Sequence, residues 1–285
     1  MRVIEVKANI LKKIYKKRDP WVHKYDFGHL LVIGGSKHYS GSPALNALAA
    51  LKAGVDLVTI AAPERAADII ASFAPDLIAY PLKGDFLNKN HLEELFRLTQ
   101  NKTAVVIGGG LCREKEILEA VIEYLKNIKI PAVIDADAIH AVAIDKKILE
   151  NKNFVLTPHS YEFFVLSGIK VSANLKERIE AVKKVASELK TTILLKGHVD
   201  VISDGKKIAL NRTGCPVMSK GGMGDTLAGI TGALLARNVN CFEAACAAAY
   251  INGMAGELAA KKFGESVIAS DLIEEICSVL PKYKW

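Results

Sequence analysis

The segment with the densest chemistry runs from Thr213 to Leu227, TGCPVMSKGGMGDTL. Three glycines, Gly221, Gly222 and Gly224, stand just ahead of a helical pattern whose apolar positions begin at Leu227 and Ile230. Glycine lets backbone N–H groups approach a ligand with no Cβ in the way, and a helix N-terminus adds the positive end of its dipole. The combination is an anion hole. Asp225 is the carboxylate at that helix start. It can serve as a first-turn acid that stabilises the dipole. Beside a phosphate cradle it also stands where a general base would take a proton from a hydroxyl attacking that phosphate. No GxxxxGK[ST] occurs in the chain, and Gly34, Gly35 and Ser36 form too short a run for a GxGxxG dinucleotide fingerprint.

The elements that must position these residues follow from the apolar pattern. Short buried-strand runs bounded by glycine, proline or aspartate recur at His29 to Ile33, Val55 to Ile60, Leu77 to Leu82, Ala104 to Ile107, Ala132 to Ile134, Phe154 to Leu156, Ile193 to Leu195 and Val199 to Ile202. Helical patterns such as Pro43 to Ala53, Lys115 to Asn127 and Leu175 to Leu189 lie between them. This alternation predicts an α/β fold with a largely parallel sheet covered on both faces. A hairpin is expected from Val199 to Asn211 around Asp204 and Gly205, followed by helices over Gly224 to Ala236, Phe242 to Ala260 and Ser270 to Val279. No linker or repeat divides residues 1–285, so a single domain is the expectation. In open parallel sheets, ligands sit beyond the carboxyl ends of the strands. The unusual residues gather there: IGGS, IGGG, DAD, TPH and KGH each follow a strand.

Composition narrows the partners. Of 285 residues 50% are hydrophobic and 24% charged, which excludes disorder, collagen-like structure and a disulfide miniprotein. The mean hydropathy of +0.19 invites a membrane reading. Its best candidate, Ala244 to Ala260, contains Asn252, Gly253, Gly256 and Glu257, which fit a closely packed buried helix better than a bilayer span of about 20 apolar residues. Met1 to Lys17 alternates apolar residues with lysines and is no secretory signal. Five cysteines, Cys112, Cys215, Cys241, Cys246 and Cys277, show no CxxC spacing and read as reduced thiols of a cytoplasmic protein. A net charge of +7 suits an anionic partner, but the sparse aromatics do not interleave with basic residues as a stacking platform for nucleic acid would require. A phosphate-rich metabolite is the better match. The cluster Lys12, Lys13, Lys16, Lys17 and Arg18 reads as a solvated helix face.

GGMGD opening a late helix, after an acidic strand end and a KG strand end, resembles the ribokinase-like fold, a three-layer αβα sandwich around a mostly parallel sheet. The wider set HLLVIGGSKHYSGSPALNALAALKAGVDLVTIAAPE, VVIGGGL, VIDADAIHAV, LTPHSYEF, ILLKGHVDVI and TGCPVMSKGGMGDTLAGI is similar in order and spacing to the ADP/ATP-dependent NAD(P)H-hydrate dehydratases, the YjeF C-terminal-domain family. The resemblance runs from about Gly28 to Gly264.

It implies repair of hydrated nicotinamide cofactor: NADHX or NADPHX is returned to NADH or NADPH with ADP or ATP as phosphoryl donor and Mg²⁺ as cofactor. A phosphoryl group moves to the C6 hydroxyl of the hydrated ring, and phosphate then leaves. Position by position, the resemblance makes Asp225 the general base and puts Gly222, Met223 and Gly224 on the transferring phosphoryl group. Lys196, Gly197, His198, Val199 and Asp200 would line the adenine-nucleotide site. His159, Gly110 and Ser42 or Pro43 would contact the hydrated nicotinamide substrate, with a structural histidine the alternative for His159. Asp137 and Glu162, ahead of Asp135, are the candidates for the magnesium shell, or else helix caps. GGGLC replaces the commoner GPGLG, Asp200 the frequent threonine, and Lys220 a small residue. Asp200 would repel a nearby phosphate and Lys220 could attract one, so the choice between ADP and ATP stays open.

Relatives are often tetrameric, so a homo-oligomer is expected. Many carry an epimerase domain ahead of the dehydratase, whereas only about 27 residues precede the first motif strand here, too few for a domain. The epimerase is therefore expected to be a separate protein. A kinase of a vitamin precursor, of hydroxyethylthiazole or hydroxymethylpyrimidine type, and a non-catalytic nucleotide sensor are the competing readings.

Overall fold

The computed structural model describes residues 3–283. Its ten strands are β1 (Val3–Glu5), β2 (His29–Ile33), β3 (Leu57–Pro63), β4 (Ile78–Leu82), β5 (Ala104–Ile107), β6 (Ala132–Ile134), β7 (Phe154–Leu156), β8 (Thr192–Leu195), β9 (Asp200–Ser203) and β10 (Ile208–Asn211). They form one sheet in the order β1-β10-β9-β8-β7-β6-β5-β2-β3-β4. Pairing is parallel from β8 through β4 and between β1 and β10, and antiparallel only on the two sides of β9.

The helices are α1 (Asn9–Ile14), α2 (Gly41–Lys52), α3 (Glu64–Ala71), α4 (Leu92–Thr99), α5 (Lys115–Asn127), α6 (Asp137–Ile144), α7 (Ser160–Ser167), α8 (Leu175–Leu189), α9 (Met223–Ala236), α10 (Cys241–Phe263) and α11 (Ala269–Val279). Helices α1 to α3 and α9 to α11 cover one face of the sheet, and α4 to α8 cover the other. The period-2 alternation of strand side chains produces both layers at once. Leu30 and Val32 of β2 enter one core while Leu31 and Ile33 enter the other, and all four are buried.

The αβα sandwich is the architecture expected from the sequence. β2, β5, β6, β7, α5 and α8 have the expected limits. β3 starts at Leu57 rather than at Val55, because Gly54 takes a left-handed turn with φ of 89° before the strand begins. The five cysteines are free, and among the described residues no helix is long and apolar enough to cross a membrane.

Helix α10 shows what its polar and small residues are for. Asn252 accepts a hydrogen bond from Thr226 Oγ1 at 2.7 Å and donates to the Met223 carbonyl at 3.3 Å, while Glu257 Oε1 accepts from the Gly214 N–H at 2.8 Å. Thr213 lies directly against Gly253, where a Cβ would collide with its hydroxyl and backbone. The helix is thus the bed on which the Thr213–Gly224 segment rests. Gly253→Ala is expected to displace that segment at a cost of about 1–3 kcal/mol. Thermal denaturation read alongside nucleotide affinity checks this, since both should fall together.

Candidate active site

Strand β2 is flanked by β3 on one side and β5 on the other, so the chain reverses its direction of travel across the sheet between β2 and β5. A crevice opens at such a switch point, beyond the carboxyl ends of the strands. The two glycine-rich loops meet there, with the Gly35 N–H donating to the Gly109 carbonyl at 2.8 Å. The N-terminus of α9 arrives at the same place. Its N-cap, Gly222, has φ of 90°, a left-handed conformation that glycine adopts freely, and Asp225 is the third helical residue. Ser42 Oγ at the start of α2 donates to Asp225 Oδ1, and Asn46 Nδ2, one turn further along, donates to the Asp225 carbonyl at 2.7 Å.

Around Asp225 stands a buried charge cluster. Lys196 Nζ, delivered by the end of β8, lies 3.0 Å from Asp135 Oδ1 and 3.8 Å from Glu162 Oε2. Thr157 Oγ1 donates to the same Asp135 oxygen at 2.7 Å. Glu162 and His159 form a reciprocal cap at the start of α7: the His159 N–H donates to Glu162 Oε2 at 2.8 Å, and His159 Nδ1 accepts from the Tyr161 and Glu162 N–H groups. With Nδ1 accepting, the ring proton of a neutral His159 belongs on Nε2, which faces Glu162 Oε1 at 3.3 Å.

These neighbours shift the acids. Burial, reinforced by Asp135 and Glu162, pushes Asp225 up to about 6, against the opposing pull of the Ser42 hydrogen bond and Lys196. Glu162 is raised as well, chiefly by burial, with Lys196 opposing. Burial alone would lower Lys196, but the Asp135, Glu162 and Asp225 carboxylates outweigh it and hold the ammonium charged. The site therefore joins a fixed cation to a carboxylate that changes charge just below neutrality, a pairing suited to accepting a proton beside an anion.

A cavity of about 770 Å³ opens beside this cluster, lined on one wall by Lys196, Gly197, His198 and Asp200 and on the other by Thr213 to Pro216, Met218 to Gly221, Met223 and Gly224. Val199 turns away from it and packs against the core. The Lys196–Asp200 loop is held from behind by Arg178, which donates to the Lys196 carbonyl at 2.9 Å, and from within by Asp200, which accepts from the Gly197 N–H at 3.0 Å. Asn211 Nδ2 donates to the other Asp200 oxygen at 3.0 Å, and burial pushes Asp200 up to about 6. Its charge is thus turned onto the loop and strand rather than free to repel a phosphate. The Lys220 ammonium is likewise engaged, by the carbonyls of Glu265 and Val267.

Ser42, Pro43 and Gly110, expected on the hydrated-ring side, are not among the residues lining this cavity. Pro43 packs against Gly34 and Gly35, and Gly110 has φ of 71° against the Cβ of Tyr39, a residue that is 57% exposed. His159 lies on the cavity wall instead. Asp137 does not join the cluster: its oxygens accept from the Cys112 N–H at 2.9 Å and Arg113 Nε at 2.6 Å. Its partner in sequence, Asp135, is the one that reaches Lys196. Among the described residues no three histidine, cysteine, aspartate or glutamate side chains converge as ligands for a metal ion. Asn46, Thr157 and Arg178 support the site without having been singled out from the sequence, where Asn252 and Glu257 stood only as polar residues of a buried helix. A polar residue inside an apolar helical run, as at Asn46, was the available signal.

Comparison with known proteins places this geometry among relatives. A family model described as NAD(P)H-hydrate dehydratase matches residues 30–278. A bifunctional NAD(P)H-hydrate repair enzyme of Pyrobaculum aerophilum is 45% identical over 262 residues, covering 91% of this chain and 52% of its own. The chain thus spans about half the length of the bifunctional relatives it matches. An ADP-dependent (S)-NAD(P)H-hydrate dehydratase of Nitrosopumilus maritimus is 36% identical, with 96% of each chain covered. Among solved structures, the ADP/ATP-dependent NAD(P)H-hydrate dehydratase of Bacillus subtilis, co-crystallised with ATP/Mg²⁺, superposes with a TM-score of 0.85 at 27% identity over 98% of each chain.

Proposed function

This chain belongs to the NAD(P)H-hydrate dehydratase family, and on that footing we propose that it dehydrates NADHX and NADPHX to NADH and NADPH at the expense of a nucleotide phosphoryl group. The observation that carries the reading is Asp225 itself, a carboxylate raised to about 6 at the N-terminal turn of α9, within the field of Lys196 and beside a cavity large enough for a nucleotide. ADP is the proposed donor, as in the name of the Nitrosopumilus relative that matches over its full length.

In this reading Asp225 takes the proton of the C6 hydroxyl as its oxygen attacks the terminal phosphorus of ADP. The bond between that phosphorus and the bridging oxygen breaks, and AMP leaves. The Gly224 N–H in the first turn of α9 would face the transferring oxygens, and the Lys196 ammonium would meet the charge that accumulates there. The C6–O bond then breaks with phosphate as the leaving group. A proton passes from C5 to water, and the C5–C6 double bond is restored. Free hydroxide leaves poorly and phosphate leaves well, which is why a kinase-like site serves a lyase.

Magnesium fits this site on charge. Asp135, Glu162 and Asp225 place three carboxylates against the single Lys196 ammonium, and an incoming diphosphate adds more negative charge. Mg²⁺ binds through one or two carboxylates with phosphate oxygens and water, so a converging protein cage is not required. Glu162 would hold it, and the ion would supply charge neutralisation at the phosphates.

The assay is direct: NADHX, Mg²⁺ and ADP should regenerate the near-ultraviolet absorbance of reduced nicotinamide. Absence of that signal with both ADP and ATP, together with phosphorylation of a thiazole or pyrimidine alcohol, would replace this reading by the vitamin-kinase one. A pH dependence follows from the base. Protonated below about pH 6, Asp225 cannot accept the hydroxyl proton, so kcat/KM should climb as pH rises through about 6 and level off above it. A profile flat between pH 5 and 7 would remove a group of this pKa from the free enzyme's mechanism.

A further inference from the structure

We infer that Ser42 is a positioning residue for the reaction, fixing which oxygen of Asp225 acts as base and where that oxygen points. The inference rests on the reading of Asp225 as the base. Three independent features of the fold converge on the Ser42–Asp225 contact. Ser42 Oγ donates its only proton to Asp225 Oδ1, which leaves Oδ2 as the oxygen without a hydroxyl partner and therefore the one able to take a proton. Asn46 Nδ2, on the same face of α2, donates to the Asp225 carbonyl at 2.7 Å, so the backbone and the side chain of one residue are held by one neighbouring helix. The approach of α2 to α9 is made possible by missing side chains. A Cβ at Gly229 would run into the Asn46 backbone, and a Cβ at Gly109 would run into Ser42 Oγ and come within 3.1 Å of Asp225 Oδ1.

The energetic logic is that of preorganisation. A carboxylate free to rotate about its last bond offers either oxygen in a range of directions, and proton transfer falls steeply when the accepting lone pair is misdirected. A donor fixed on a helix removes that freedom before substrate arrives. The other charged groups facing Asp225 are Asp135 from the end of β6, Glu162 from α7 and Lys196 from the end of β8. None of them is recorded as a hydrogen-bond donor to its carboxylate, so among the described residues the orienting contact is Ser42. The donor proton of Ser42 is committed to Asp225, while its oxygen still offers acceptor lone pairs to a substrate.

The test compares wild type, Ser42→Ala, Ser42→Thr and Asp225→Asn for kcat, for KM of each substrate and for the pH profile. Ser42→Ala should lower kcat about tenfold or more with KM for nucleotide little changed, and should move the acid limb to higher pH, because the lost hydrogen bond favoured the ionised form. Ser42→Thr, which keeps the hydroxyl, should restore much of kcat and return the limb. If its added methyl prevents folding, a carbon-13 carboxylate titration of Asp225 in Ser42→Ala supplies the same shift without the rescue. An unchanged kcat and an unmoved limb in Ser42→Ala, with Asp225→Asn inactive, would overturn the role of Ser42 and leave Asp225 as the base. Near-normal turnover in Asp225→Asn would instead overturn the reading on which the inference stands.

Discussion

Asp225→Asn is expected to lower kcat by about 10²–10⁴-fold, the span that a positioned general base contributes, while the protein should become more stable at neutral pH. The two outcomes share one cause. The folded state holds the Asp225 proton more tightly than the unfolded chain does, with the group raised from its ordinary 3.8 to about 6 by burial and by Asp135. The stability this gives is fully present below pH 3.8 and is lost as pH rises through 6, because the folded state must then carry a buried charge it disfavours. An asparagine has the same shape, carries no charge and can still accept from Ser42. Its stability should therefore lack the decline expected for wild type between about pH 4 and 6. Chemical denaturation at pH 4, 6 and 8 for both proteins measures this. Nucleotide affinity should change little, since Asp225 is not among the residues lining the cavity. If the variant is inactive yet no more stable at pH 8, Asp225 is not the strained acid described here.

Lys196→Met has the opposite signature, with activity and stability falling together. Its ammonium lies 3.0 Å from Asp135 and 3.8 Å from Glu162 and lowers the proton affinity of Asp225. Without it three acids face one another. Removing one partner of a buried ion pair typically costs about 3–5 kcal/mol. The penalty should shrink at low pH, where the orphaned carboxylates can protonate, so the deficit relative to wild type is expected to be larger at pH 8 than at pH 5. The Asp225 limb of the pH profile should move up, and calorimetric titration with ADP should show at least a tenfold loss of affinity. Unchanged ADP affinity would confine Lys196 to holding the acids.

Much of this arrangement can be read before any coordinates are consulted, because a parallel sheet sends the ends of its strands to one edge. Lys196 after β8, Gly110 after β5 and Asp135 after β6 reach the same crevice for that reason alone. The sequence is least informative where a single backbone angle decides. Asp135 and Asp137 are two residues apart, yet one joins Lys196 and the other Arg113, because Ala136 between them has φ of 48° and ψ of −122°, which turns the chain sharply at the start of α6. An alanine there announces nothing. Helices α3, α4, α6 and α7 also escape a reading by pattern. Each is eight residues long, too short to be stable by itself, and is made helical by the surface on which it packs. Strand β1 is three exposed residues with no burial pattern to betray it.

That strand sets the order in which the molecule can be assembled. Val3–Glu5 pairs in parallel with Ile208–Leu210, a partner some two hundred residues further along the chain. During synthesis at about 5–20 residues per second, β1 waits on the order of 10–40 s for its neighbour to be made. Until it docks, β10 carries the open edge of the sheet on that side, next to the Asn211–Asp200 contact that steadies the Lys196–Asp200 loop. Unpaired edges invite pairing with other chains, so nascent and refolding protein is most exposed to aggregation through β10. Closing that edge waits on a strand from the far end of the chain.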